Sequence, residues 1–309
     1  MDGAGSRTHV RFALLLLPLF LLLAAPQGAL AEGRCGDAAT RPWCSTSLGP
    51  DERAALLLAQ LTDAEKISLL GGDELSGVAG GQGPHTGTSD GIERLGIPTI
   101  YFSDGPAGVR SGQATALPSP IALGASFDPG NASRGARVIA DEVIRKGNDI
   151  VFAPTVDIVR TPLAGRVFEA MGGEDPFLST ELAVPWIKTV QAQGLIANVK
   201  HFAANNQEGT GPAADDARPG NPAVSVGVLA PIGNRMRIDA RIDERTMHEL
   251  YLPMFEAAVR RANVASVMCA YNRINGPFAC ESRPLLEDIL RGEWGFKGMT
   301  IADYAAVHN

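Results

Sequence analysis

Four short apolar runs in this chain end on residues able to do chemistry. Thr99–Ser103 is followed by Asp104, and 197–199 by Lys200 and His201. Ser266–Ala270 is followed by Tyr271 and Asn272, and Met299–Ala302 by Asp303. Arg166 lies in the long segment after a fifth run, Ile150–Ala153. Asp, Lys, His and Arg side chains pair with hydroxyl groups, often two bonds at a time. Gathered in one pocket, they suit a polyhydroxylated ligand. Taken singly, each has a plainer role. Asp104 precedes Gly105-Pro106 and fits a turn, Asp303 fits a helix N-cap, and Arg166 fits an exposed surface. Their recurrence at equivalent positions favours a site. A Lys at a strand end also serves as a Schiff-base nucleophile, with Asp303 then an acid or base. A hydroxyl-binding role explains Lys200 equally well.

The elements that must position these residues follow a rhythm. The runs above, with Ile121–Ala125 and a weaker Met236–Ala240, read as strands. Amphipathic stretches at Pro129–Lys146, Ser179–Gln193, Asp243–Ala262 and Arg283–Glu293 read as helices between them. Such alternation means a parallel sheet, and continuously apolar strands mean cover on both faces or closure into a barrel. The expected fold is α/β, a (β/α)8-type TIM barrel, whose active groups sit at the C-terminal ends of the strands. Before it, 32–52 reads as an irregular arm and a helix begins at Arg53. Thr62 or Asp63 caps a second short helix, and 71–91 reads as a Gly-rich loop. Residues 209–234 carry no helical period and read as a long insertion.

At 309 residues and 45% hydrophobic content the chain can build a full-sized core. The net charge of −7 gives no basic stripe to neutralise phosphates, so a nucleic-acid partner is not expected. Arg7 and Arg11, then an apolar stretch at 13–25, then Ala29-Leu30-Ala31, read as a cleavable export signal over 1–31. The stretch is interrupted by Pro18 and falls short of the about 20 apolar residues a span needs, so no stable membrane anchor is expected and the product is secreted. Export makes the four cysteines candidates for disulfides. Cys35 pairs most simply with Cys44, and Cys269 with Cys280, each closing a short loop; four buried thiols are the alternative. The cysteines lack metal-site spacing, so no metal is expected.

The motifs GIERLGIPTIYFSDGPAGVR (91–110), ATALPSPIALGASFDP (114–129), GRVFEAMGGEDPFLS (165–179), KHFAANNQE (200–208), DERTMHELYLPMFEAAV (243–259), SVMCAYNRING (266–276) and GFKGMTIADY (295–304) resemble glycoside hydrolase family 3. The resemblance runs from about residue 53 to the end and implies the N-terminal barrel domain over 53–309. It implies hydrolysis of β-linked glucosides or related oligosaccharides by a retaining double displacement, with no cofactor. Asp303 matches the nucleophile. Asp104, Arg110, Arg166, Lys200 and His201 match the groups that hold the hydroxyls of the sugar being cleaved. Tyr271 matches the residue beside the nucleophile and Met268 a nearby wall. The Cys269–Cys280 pairing is also implied.

Three departures qualify the resemblance. Tyr304 stands where the family usually has Trp. The 209–234 insertion splits a stretch that is usually close-knit. The chain stops six residues after Asp303, so the barrel reads as incomplete at that end and the acid/base Glu as lying outside this chain. A catalytically inactive, sugar-binding product is the alternative. The family branch that uses a His acid/base carries a different motif, so His85, His248 and His308 read as surface or loop residues.

Overall fold

The computed structural model describes residues 35–72, 83, 85–207 and 235–308. The export signal and the 209–234 insertion lie outside these. Residues 1–60 and 61–309 form separate compact units. In the first, Cys35 and Cys44 are joined, with a 3-10 turn at Pro42–Cys44 between them. Helix α1, Pro50–Leu58, starts three residues earlier than the sequence reading placed it. Pro50 takes the first helical position, where its missing N–H costs nothing, and Asp51 and Glu52 face the positive end of the helix dipole.

The second unit opens with α2, Asp63–Leu70. Thr62 and Glu65 close a reciprocal capping box at its start. A six-stranded sheet follows, in the order β1-β2-β3-β4-β6-β8. The strands are β1 Gly87–Ser89, β2 Ile100–Asp104, β3 Ile150–Phe152, β4 Ile196–Phe202, β6 Ser266–Cys269 and β8 Met299–Ala302. Strand β1 is antiparallel to β2, and every later pairing is parallel. It lies within the segment expected to be loop: three residues of Gly, Thr and Ser carry too little apolar signal to reveal a strand. Strands β5, Asp239–Ala240, and β7, Arg273–Ile274, pair separately, so only the end of the weak run at Met236–Ala240 is extended.

The run Ile121–Ala125 is not a strand. It folds as α3, Pro120–Gly124. Five apolar residues do not distinguish strand from helix by period, and Pro120 at the first helical position decides it. Gly124 then passes so close to the carbonyl of Met171 that an added Cβ would sit 1.9 Å from its oxygen. Helix α4, Pro129–Arg145, is capped by Asp128 and buries Ala132, Ala136, Ile139, Ala140 and Val143, one face of a helix. Helix α5, Pro176–Gln191, begins three residues before the expected start, because Asp175 caps it and Pro176 opens it. The stretch from Asp243 is a capped turn, a π-helical turn at Met247–Tyr251 and then α6, Pro253–Ala262; Pro253 interrupts it. Pro284–Glu293 is π-helical.

Alternating strand side chains divide the core. Val151, Ala197, Val199 and Val267 pack with Leu182, Trp186, Ile187 and Phe255 of the helices. Ile150, Phe152 and Met268 point the other way and cluster with Ile100, Phe102, Ile196, Ile301 and Tyr304. Burying each large aliphatic residue contributes roughly 1.5–3 kcal/mol. The second cluster is an apolar floor under the strand ends. The result is a run of β/α units with parallel strands, a TIM-barrel-like sheet with β1 and β8 at its edges. No helix of the described residues is long and apolar enough to cross a membrane.

Candidate active site

The C-terminal ends of β2, β4, β6 and β8 bring polar groups together over that floor. Asp104 is the last residue of β2, and its backbone N–H donates to Thr86 Oγ1 at 2.8 Å. Gly105 then lets the chain turn tightly over β3: an added Cβ would lie 2.4 Å from a methyl of Val151. Lys200 is buried on β4, and its Nζ donates to Asp104 Oδ1 at 3.2 Å. His201 is buried beside it. A regular strand would send these consecutive side chains to opposite faces, but the β4–β6 register shifts between Val199 and Phe202.

Asp303 follows β8 directly. Its Oδ1 accepts from Tyr271 Oη and from the backbone N–H of Tyr304, each at 2.9 Å. Its Oδ2 is buried without a hydrogen bond among the described residues, 3.5 Å from His201 Nε2. One oxygen is thus held and the other is aimed at the cluster. Burial, then the Asp303 charge, pushes the Tyr271 phenol well up, so it stays a neutral donor. Burial likewise raises Tyr304, whose hydroxyl donates to the Thr86 carbonyl at 3.2 Å.

Three residues join the cluster that the sequence reading did not single out. Asp157 Oδ2 lies 2.6 Å from His201 Nδ1. It is the one charged residue in the otherwise apolar or neutral stretch 153–159, a signal that was available. Glu169 is buried and accepts from Arg166 Nη2 at 2.6 Å. The i, i+3 spacing could have revealed that pair. Arg235 is buried with its guanidinium 4.2 Å above the Tyr271 ring, a cation–π contact. Burial, followed by the charges of Arg166, Lys200 and Arg235, holds His201 well below its ordinary pKa. Burial pushes the Asp157 carboxyl up to about 8.

The other expected residues vary in placement. Met268 sits in the apolar floor. Arg110 is exposed and lines a neighbouring cleft with Val109, Thr115, Phe168 and Glu169. It has no hydrogen bond to the cluster among the described residues. Cys269 and Cys280 are joined, tying the end of β6 to the turn at Ala279–Glu281. The histidines set aside lie elsewhere. His85 is in a loop, hydrogen-bonded to Asn148 and stacked on Tyr101. His308 stacks on Phe278, and His248 is exposed.

Comparison with known proteins places this arrangement. The model of the glycosyl hydrolase family 3 N terminal domain matches residues 82–218 and 235–309. The chain is 39% identical over 236 residues to a beta-glucosidase of Bacteroides ovatus, covering 72% of this chain and 28% of that protein. It is 38% identical to the thermostable beta-glucosidase B of Acetivibrio thermocellus, covering 71% and 27%. The solved structure of beta-glucosidase 3B from Thermotoga neapolitana with glucose superposes with a TM-score of 0.68 at 36% identity, over 80% of this chain and 33% of that one. The chain therefore spans about a quarter to a third of the length of these relatives.

Proposed function

Because the chain belongs to glycosyl hydrolase family 3, matching its N-terminal domain, we propose that it carries the nucleophile and sugar-binding half of a retaining β-glucosidase-like active site. The observation that carries this reading is Asp303, with one oxygen held by Tyr271 and Tyr304 and the other free of hydrogen bonds and facing the cluster. A retaining glycosidase uses one carboxylate to attack the anomeric carbon, and a second carboxyl group to protonate the leaving oxygen and then activate water. Asp303 takes the first role. The second role belongs to a carboxyl group other than Asp303. Asp104, Lys200, His201 and Arg166 bind the hydroxyls of the sugar, contacts that tighten as its ring flattens. Tyr271 orients the nucleophile, Met268 floors the pocket and Arg110 stands at its margin. The relatives' names make a β-glucoside the first substrate to test.

The trapping experiment needs no acid catalyst. A 2-deoxy-2-fluoro-β-glucoside with a dinitrophenolate leaving group needs no protonation to depart, and the fluorine slows release of the sugar. The expected result is a glycosyl mass on the peptide carrying Asp303, absent from Asp303→Asn. A sugar on Asp104, or a borohydride-trapped imine on Lys200 with a carbonyl substrate, would overturn the assignment.

A further inference from the structure

The hydroxyl-binding roles leave Asp157 without a task. It follows β3 in a segment laced to β4: Lys200 N–H donates to the Pro154 carbonyl at 3.0 Å, and Val156 N–H to the Lys200 carbonyl at 2.8 Å. The backbone therefore sets Asp157 alongside His201. Its Oδ2 accepts the His201 backbone N–H at 3.2 Å and lies 2.6 Å from Nδ1. On the opposite edge of the same ring, Nε2 faces Asp303 Oδ2 at 3.5 Å. Both ring nitrogens thus look at carboxyl groups.

In a neutral imidazole only one nitrogen carries a proton. A bare Nε2 would set its lone pair against the unbonded oxygen of Asp303. An N–H there gives that oxygen a donor. Nδ1 is then the acceptor, and the proton between it and Oδ2 belongs to Asp157. The surroundings act on both groups. Burial, then Arg166, Lys200 and Arg235, hold the ring's pKa down; on Asp157, burial, aided by Glu169, outweighs Arg166 and Lys200, which hold it down. Burial and the three cations disfavour an imidazolium, and burial favours a protonated Asp157 with a pKa of about 8.

We propose that Asp157 is a positioning residue that fixes His201 in its Nε2–H tautomer and aims that N–H at Asp303 and at a ligand oxygen beside it. What this does for glycoside cleavage rests on the function proposed above. The tautomer itself does not.

Lys200–His201 is the only Lys–His step in the chain. Labelling lysine carbonyls with ¹³C and histidine with ¹⁵N therefore singles out His201 in the full chain, and long-range ¹H–¹⁵N correlation reads its ring. At about pH 6 the expected spectrum shows a protonated Nε2 and a bare, hydrogen-bonded Nδ1. In Asp157→Asn the amide oxygen accepts both the backbone N–H and Nδ1–H. Nε2 should then move to the position of a bare nitrogen, with the far-UV circular dichroism unchanged. A native ring with a bare Nε2, a doubly protonated native ring, or an Asn variant that keeps the native tautomer would each overturn the proposal. If the variant does not fold, the native spectrum alone decides. A native spectrum as expected, together with a sugar trapped away from Asp303, would sink the glycosidase reading and leave this one standing.

Discussion

Asp303 depends on its neighbours at the scale of single atoms. Tyr271 donates a side-chain hydrogen bond to its held oxygen. Hydrogen bonds to charged groups contribute about 1.5–3 kcal/mol, so losing this one should slow formation of the trapped sugar adduct in Tyr271→Phe by roughly 10- to 100-fold. A time course of adduct mass reads this, and a wild-type rate would show that the Tyr304 N–H alone suffices. The residues that could be read from sequence were those ending apolar runs, because strand ends at one face of a parallel sheet converge. Asp104, Lys200, His201 and Asp303 follow that rule. Asp157, Glu169 and Arg235 do not. Asp157 and Glu169 sit in the segment after β3, and Arg235 borders the insertion; no periodic pattern says which way such segments fold back. Arg110, carried over from the motif, lies outside the hydrogen-bonded group for the same reason: a motif gives order along the chain but no direction for a side chain.

Helix starts were legible where the capping chemistry was read and shifted where it was not. Of the two caps the sequence offers, Thr62 or Asp63, the structure uses Thr62, whereas Asp175-Pro176 and Pro50 move their helices by a turn from the expected starts. Ile121–Ala125 failed because its apolar content outweighed the two prolines before it. The cap of α2 has a pH signature. Glu65 accepts two hydrogen bonds from Arg94, the one from Nε at 2.6 Å, and one from the Thr62 N–H at 2.9 Å. Arg94 first and the Thr62 backbone next lower its pKa from 4.5 to about 2. Between those values the unfolded chain binds the proton and the folded one does not. The cap's contribution is therefore complete above about pH 4.5 and is lost as pH falls through about 2. Glu65→Gln should melt below wild type at neutral pH, and the two melting curves should converge toward pH 2. Added salt should narrow the neutral-pH gap, since the pair is exposed. A gap that persists unchanged at pH 2 would mean that the carboxylate charge is not its source.

For the whole molecule, alternation of strand and helix was enough to foresee parallel order, because a helix between two strands returns the chain to the same end of the sheet. Alternation does not say where a sheet stops, since that depends on pairing between strands distant in sequence. The described sheet stops at β8, which pairs with β6 along Met299–Ala302 and with no other strand among the described residues. Unpaired backbone groups on such an edge are a template for another strand. The usual protections are scarce here: β8 is Met-Thr-Ile-Ala, without charge or proline, and Met299 is 38% exposed. The 309-residue chain should therefore associate as its concentration rises, and sedimentation velocity over a dilution series would show this as a growing heavier species. Met299→Lys places a charge where an incoming strand would have to lie. Met299 is already exposed, so the change should shift the distribution toward monomer without lowering the melting temperature. Uniform monomer at every concentration in the unsubstituted chain would show that this edge is covered, and would redirect attention to the segments around β8 that could cover it.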